Sequence, residues 1–105
     1  MKRVVITGAG TINALGHSVA DTMKAMAEGQ CGIGQLAFRD VERLSIQIGG
    51  QVRGFEAKGR YNRQQMSLYD RFTQFTLAAA AEAIAQSGIT FSGETAAKSG
   101  VVLGT

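Results

Sequence analysis

The run Phe72-Thr73-Gln74-Phe75-Thr76-Leu77-Ala78-Ala79-Ala80-Ala81-Glu82-Ala83-Ile84-Ala85 restricts the fold of this chain more than any other feature. Alanine is the best helix former, and nothing in the run breaks a helix. Phe72, Phe75, Thr76, Ala79 and Ala83 fall on one stripe, and Leu77, Ala80, Ala81 and Ile84 on a second. A helix this thin on nearly every side lets its neighbours approach closely and is expected to be buried, with Phe72 and Phe75 in the core. Ser67, followed three residues later by Asp70, reads as its cap. Gly88 stands where a left-handed residue would end it after Gln86 or Ser87.

Other elements arrange themselves around this helix. Lys2–Thr7 contains Val4, Val5 and Ile6 in succession, the pattern of a strand covered on both faces. Ser18, with Asp21 three residues on, predicts a second helix with Val19, Met23 and Met26 on its apolar face and Gly29 at its end. Residues 29–34 read as a glycine-rich turn. Residues 45–52 read as a half-exposed strand bent near Gly49 and Gly50. Residues 56–66 are polar and irregular, with room for a short helix, and residues 90–97 read as a loop. Ser99–Thr105 repeats the buried-strand pattern. The order strand, helix, strand, helix, strand predicts an α/β layered fold without an internal domain boundary. Strands of the buried type leave unpaired edges when they stand without neighbours, so the 105 residues alone are expected to fold poorly.

Charge is concentrated in the middle of the chain. Residues 39–71 carry Arg39, Arg43, Arg53, Lys58, Arg60, Arg63 and Arg71 against Asp40, Glu42, Glu56 and Asp70. That excess suits either an acidic partner or a solvated basic face. Basic and aromatic residues do not interleave as a nucleic-acid platform requires. No stretch is long and apolar enough to predict a membrane span, and the apolar run after Met1-Lys2-Arg3 is too short for a signal peptide. The single cysteine excludes an internal disulfide, so a reducing, cytoplasmic setting is expected.

Three features invite a chemical reading. Thr7-Gly8-Ala9-Gly10 after a strand resembles a nucleotide-binding turn, but a dinucleotide fingerprint would place a third glycine at Asn13. The variant pattern of the short-chain dehydrogenases would place glycines at Ile12 and Ala14. No cofactor is expected. Cys31 is the one thiol, yet nothing near it in sequence lowers its pKa, and it follows a helix instead of opening one. His17 precedes a cap, a position that often holds a packing residue. One histidine and one cysteine fall short of a metal site.

Five segments, taken in order, resemble the β-ketoacyl-[acyl carrier protein] synthases, condensing enzymes of the thiolase-fold superfamily. They are Arg3-Val4-Val5-Ile6-Thr7-Gly8-x-Gly10 with Leu15-Gly16; Ala27-Glu28-Gly29-Gln30-Cys31-Gly32-Ile33; Gly50-Gln51-Val52-Arg53-Gly54-Phe55; Tyr69-Asp70-Arg71-Phe72-Thr73-Gln74-Phe75 with the alanines behind it; and Ser99-Gly100-Val101-Val102-Leu103-Gly104-Thr105. The resemblance implies that residues 1–105 are the N-terminal part of the first half of a layered α-β-α-β-α fold. It implies a homodimer that condenses a cysteine-bound acyl group with malonyl-carrier protein, in fatty-acid or polyketide synthesis. The family's catalytic cysteine and two histidines lie further along, so none is present here, and Cys31 stands where the family usually has serine. Basic residues before the "M-D-R-F" helix dock the acidic carrier protein in several members. Arg63 matches such a position, with Arg60 and Lys58 close by, while Gln64, Ser67 and Leu68 depart from that basic pattern. The rival readings are a nucleotide-binding half-domain of the short-chain dehydrogenase type, a catalytically silent chain-length partner, and a stand-alone module without enzymatic activity.

Overall fold

The structure, a computed structural model, describes residues 1–57 and 59–104. It contains four α-helices and one two-stranded antiparallel sheet among the described residues: α1 (Val19–Ala27), β1 (Ile33–Gln35), β2 (Ile48–Gly50), α2 (Arg63–Leu68), α3 (Arg71–Ser87) and α4 (Gly93–Ala97), with a 3-10 turn at Val41–Arg43. It is a small mixed helix and strand assembly, in keeping with an α/β fold.

Helix α1 starts and stops where the sequence dictates. The Ser18 hydroxyl accepts the Asp21 N–H at 3.1 Å, so one orphan donor of the first turn is satisfied. At the other end Gly29 takes φ +69°, Gly29 N–H bonds Met26 O, and Gln30 N–H bonds Ala25 O. That is the paired closure of a Schellman motif.

Helix α3 starts later than the sequence predicts. Ser67 lies inside α2, where its hydroxyl donates to Gln64 O. Tyr69 is extended at ψ 118° and breaks the chain between the two helices. Asp70 is the true cap of α3, its carboxylate accepting Thr73 N–H at 2.8 Å. Two acceptors compete for one role here, and a carboxylate is the better partner for a helix N-terminus. Gly88, at φ +66°, ends the helix.

The thinness of α3 sets how the first loop packs. A Cβ added to Gly10 would lie 1.9 Å from Ala79 O, and one added to Gly8 would lie 2.1 Å from Ala83 O. Both distances are far inside any allowed contact, so the Gly8-Ala9-Gly10 turn lies against the α3 backbone along the Ala79–Ala83 stripe. α3 side chains then tie the turn down. Gln86 Oε1 accepts Ala9 N–H at 2.7 Å, and Glu82 Oε2 accepts Thr11 N–H at 3.0 Å. The second Glu82 oxygen accepts Val19 N–H, the first amide of α1, at 2.8 Å. One carboxylate thus joins the loop, α1 and α3. Asn13 organises the loop between them: its side chain donates to Thr11 and Thr22 hydroxyls and accepts from Leu15 and Gly16 N–H.

The small core lies on the same side of the helix, nearer its N-terminal end. Phe55, Ala57 and Ala78 are buried together, with Ile12, Val52, Tyr61 and Phe75 packed against them. Gln74 is buried too, and its amide is satisfied by donating to Tyr69 O at 2.9 Å. Phe75 reaches the core as expected. Phe72 does not; it is 45% exposed on the outer face of α3, and Leu77 and Ile84 are exposed as well. The expectation of an all-round buried helix therefore fails. A chain this short exposes much of its apolar surface, and only one side of α3 is covered among the described residues.

The sheet also differs from the sequence reading. Ile33, Gly34 and Gln35 pair antiparallel with Gly50, Gly49 and Ile48, so the end of the predicted turn, Ile33 and Gly34, belongs to a strand. The strand expected over 45–52 contracts to three residues. Gln51 extends the pairing through its side chain, exchanging two hydrogen bonds with the Ala37 backbone. Lys2–Thr7 and 99–104 form no strand; Val4 and Ile6 are each 92% exposed, and Val102 is fully exposed. A β-branched run encodes burial, but a strand exists only when a ladder partner supplies its hydrogen bonds, and neither segment has one among the described residues. The predicted loop at 90–97 holds α4. Thr105 lies outside the described residues.

Candidate docking surface

The sequence places its docking candidates between the core and α3. Gly59, at φ +86°, turns the chain, and Arg60 N–H bonds Ala57 O at 3.1 Å. This turn holds Arg60 beside the core, its guanidinium 5.6 Å from the centre of the Phe55 ring. Tyr61 anchors the approach to α2. Its hydroxyl donates to Gln74 O at 2.8 Å, and its ring meets Tyr69 edge to face. Asn62 then opens α2 with a complete capping box: its side chain accepts Gln65 N–H, and the Gln65 side chain accepts Asn62 N–H. Arg63 is therefore the first residue of α2, and it is exposed. Lys58, the third candidate, lies outside the described residues.

Two cations occupy the wrong helix end. Arg63 opens α2 and Arg71 opens α3, and neither helix has an acidic residue in its first turn. A positive charge there opposes the helix dipole, at a cost of roughly 0.3–1 kcal/mol near an exposed terminus. Asp70 offsets part of that for α3. Hydrogen bonds from Thr73, through its side chain and then its backbone, hold the Asp70 carboxyl below its ordinary value of 3.8. Among the described residues the ion pairs are Arg39–Asp40 and Lys98–Glu94. Arg60, Arg63 and Arg71 pair with no carboxylate there, so the basic excess read from the sequence remains unneutralised on this face.

The other sequence candidates have structural employment. At the Gly8-Ala9-Gly10 turn, Ala9 N–H is taken by Gln86, and the next amide along, Thr11 N–H, by Glu82. His17 Nε2 lies 2.8 Å from Arg53 O, and its ring packs edge-on against Phe55, the packing role expected of it. Cys31 is exposed, and its thiol donates weakly to Ile33 O at 3.8 Å. An open pocket of about 280 Å³ lies beside His17. Asn13, Gly16, Asp21 and Arg53 line it, and the Arg53 guanidinium is engaged with Gln35 O on β1. Among the described residues no three His, Cys, Asp or Glu side chains gather as metal ligands would, and no helix is long and apolar enough to cross a membrane.

A family model described as the β-ketoacyl synthase N-terminal domain matches residues 1–105. The chain belongs to the β-ketoacyl synthase family. Among curated relatives, the 3-oxoacyl-[acyl-carrier-protein] synthase 2 of Vibrio cholerae is 33% identical over 104 residues, covering 99% of this chain and 25% of the relative. The enzymes of the same name from Staphylococcus aureus, at 32%, and Synechocystis, at 33%, cover the same shares. The chain thus spans a quarter of the length of these synthases. Sequence reasoning misses one residue of the basic face. Arg71 reads there as part of the basic excess and of the Tyr69–Phe75 match, not as a docking candidate, yet its guanidinium lies 5.4 Å from the Phe55 ring centre and 4.9 Å from that of Phe75. A signal is present in the sequence, since Arg71 immediately follows the better cap, Asp70.

Proposed function

We propose that this chain is the N-terminal segment of a 3-oxoacyl-[acyl-carrier-protein] synthase, and that it contributes scaffold and a carrier-docking surface instead of reacting groups. The family match across residues 1–105 carries this reading. In the complete synthase an acyl group is held as a thioester on a cysteine beyond this segment. Loss of CO2 from malonyl-carrier protein generates a carbanion, which attacks the thioester carbonyl. The C–C bond forms as the C–S bond breaks, and the cysteine leaves as thiolate. The complete protein is proposed to be cytoplasmic and homodimeric, with the thiolase-type α-β-α-β-α layering. In that architecture Val4–Ile6 and Val101–Leu103, exposed here, gain ladder partners.

The basic face supports the docking role. Arg63 and Arg60 meet an acyl carrier protein through its acidic surface, with Lys58 as the third proposed contact. Opposed charges of this kind speed encounter and select the partner. The test is condensation by the complete protein, supplied with an acyl donor and malonyl-carrier protein. Formation of the 3-oxoacyl product with release of CO2 supports the reading. Failure of the folded protein to form product, with the family's cysteine replaced further along, would favour the silent chain-length partner.

A further inference from the structure

Phe55 is 7% exposed, yet two exposed arginines from separate segments stack on it. The Arg60 and Arg71 guanidinium carbons lie 5.6 Å and 5.4 Å from the same ring centre, so both charges share one aromatic ring. Like charges gathered on one ring repel. The ring quadrupole offsets part of that repulsion. No carboxylate lies within ion-pair distance of either among the described residues. Arg71 Nη1 makes only a long contact, 3.4 Å, to Gln74 Oε1. A guanidinium held against an aromatic ring still has N–H donors to offer, since the ring consumes none of its hydrogen bonds. The ring also removes most of the rotamer freedom that a long side chain would lose on binding. Arg63 stacks on no aromatic ring among the described residues and must be ordered by whatever it meets.

Resting on the carrier-docking reading above, we infer that Arg60 and Arg71 are the anchoring cations of this surface and that Arg63 acts at its rim. The partner is an acidic carrier protein, whose carboxylates supply the counter-charges this face lacks. Arg71 contributes more of the anchoring, because it is held by both Phe55 and Phe75.

The test uses the complete synthase with Arg71→Gln, Arg60→Gln, Arg63→Gln and Arg71→Lys. Carrier-protein affinity is measured at low and high ionic strength, alongside turnover of a small thioester lacking the carrier protein. Arg71→Gln and Arg60→Gln are expected to weaken carrier binding about tenfold and about fivefold at low salt, against less than about twofold for Arg63→Gln. These differences shrink at high salt, and small-thioester turnover stays unchanged. Arg71→Lys recovers only part of the affinity, because an ammonium lacks the stacked, forked donor set. A larger loss for Arg63→Gln than for Arg71→Gln overturns the assignment while leaving docking intact. An equal loss of small-thioester turnover in Arg71→Gln also overturns it, by showing a folding role. Carrier affinity of the unsubstituted synthase that ignores salt overturns the docking reading itself.

Discussion

Replacing Glu82 by alanine should loosen the entire first loop, because two backbone amides from different segments depend on its carboxylate. Oε2 accepts Thr11 N–H at 3.0 Å and Oε1 accepts Val19 N–H at 2.8 Å, both partly buried. Hydrogen bonds to charged groups contribute roughly 1.5–3 kcal/mol each. Water reaches a partly buried amide once the carboxylate is gone, so the low end applies, and Glu82→Ala should lose about 3 kcal/mol in total. The oxygen on Val19 also faces the positive end of α1, which adds up to ~1 kcal/mol. Glu82→Gln keeps one oxygen but turns an NH2 group toward the other amide, donor against donor, so about half of the loss should remain. Hydrogen exchange read by mass spectrometry in the complete protein isolates the effect. The amides of Thr11 and Val19 should exchange about 100-fold faster in Glu82→Ala, as roughly 1.4 kcal/mol per factor of ten requires. Ala9, held by Gln86, should change less. Unchanged exchange at both Thr11 and Val19 would refute the claim that this carboxylate joins loop, α1 and α3.

Two glycines and one cap give further expected outcomes. Gly10→Ala drives a methyl to 1.9 Å from Ala79 O, whereas Gly100→Ala meets nothing within 4 Å. The first should abolish soluble expression of the complete protein and the second should leave its yield unchanged. The lowered pKa of Asp70 means that its contribution to α3 is fully present above about pH 4 and is lost as pH falls through the depressed value. Asp70→Asn should flatten that acid limb in exchange of the Thr73 amide between about pH 5 and pH 2, and an acid limb identical in both proteins would contradict it.

The caps and the thin helix are legible in the sequence, while the sheet is not. Ser18, Gly29 and Gly88 act locally, through bonds that span three to five residues, so their spacing reveals them. The alanine stripe announces a close approach, and Gly8 and Gly10 supply it, although sequence alone does not pair the two features. Val4–Ile6 and Val101–Leu103 carry the burial pattern of strands, but a ladder partner is a long-range condition that no local pattern encodes. Ile33–Gln35 is hidden for the opposite reason, since flanking glycines give it the composition of a turn. In the basic region, resemblance alone singles out Arg63 as a docking candidate. The stacking of Arg71 on Phe55 joins residues sixteen apart through the core, and nothing in their spacing predicts it.

The central claim is that residues 1–105 supply structure and docking but no reacting group. It is tested most directly by loading the complete protein with an acyl-carrier donor and locating the thioester by peptide mass spectrometry. The acyl group should be found on a cysteine beyond residue 105, with the exposed thiol of Cys31 unmodified. An acyl adduct on Cys31 that is consumed when malonyl-carrier protein is added would contradict the account.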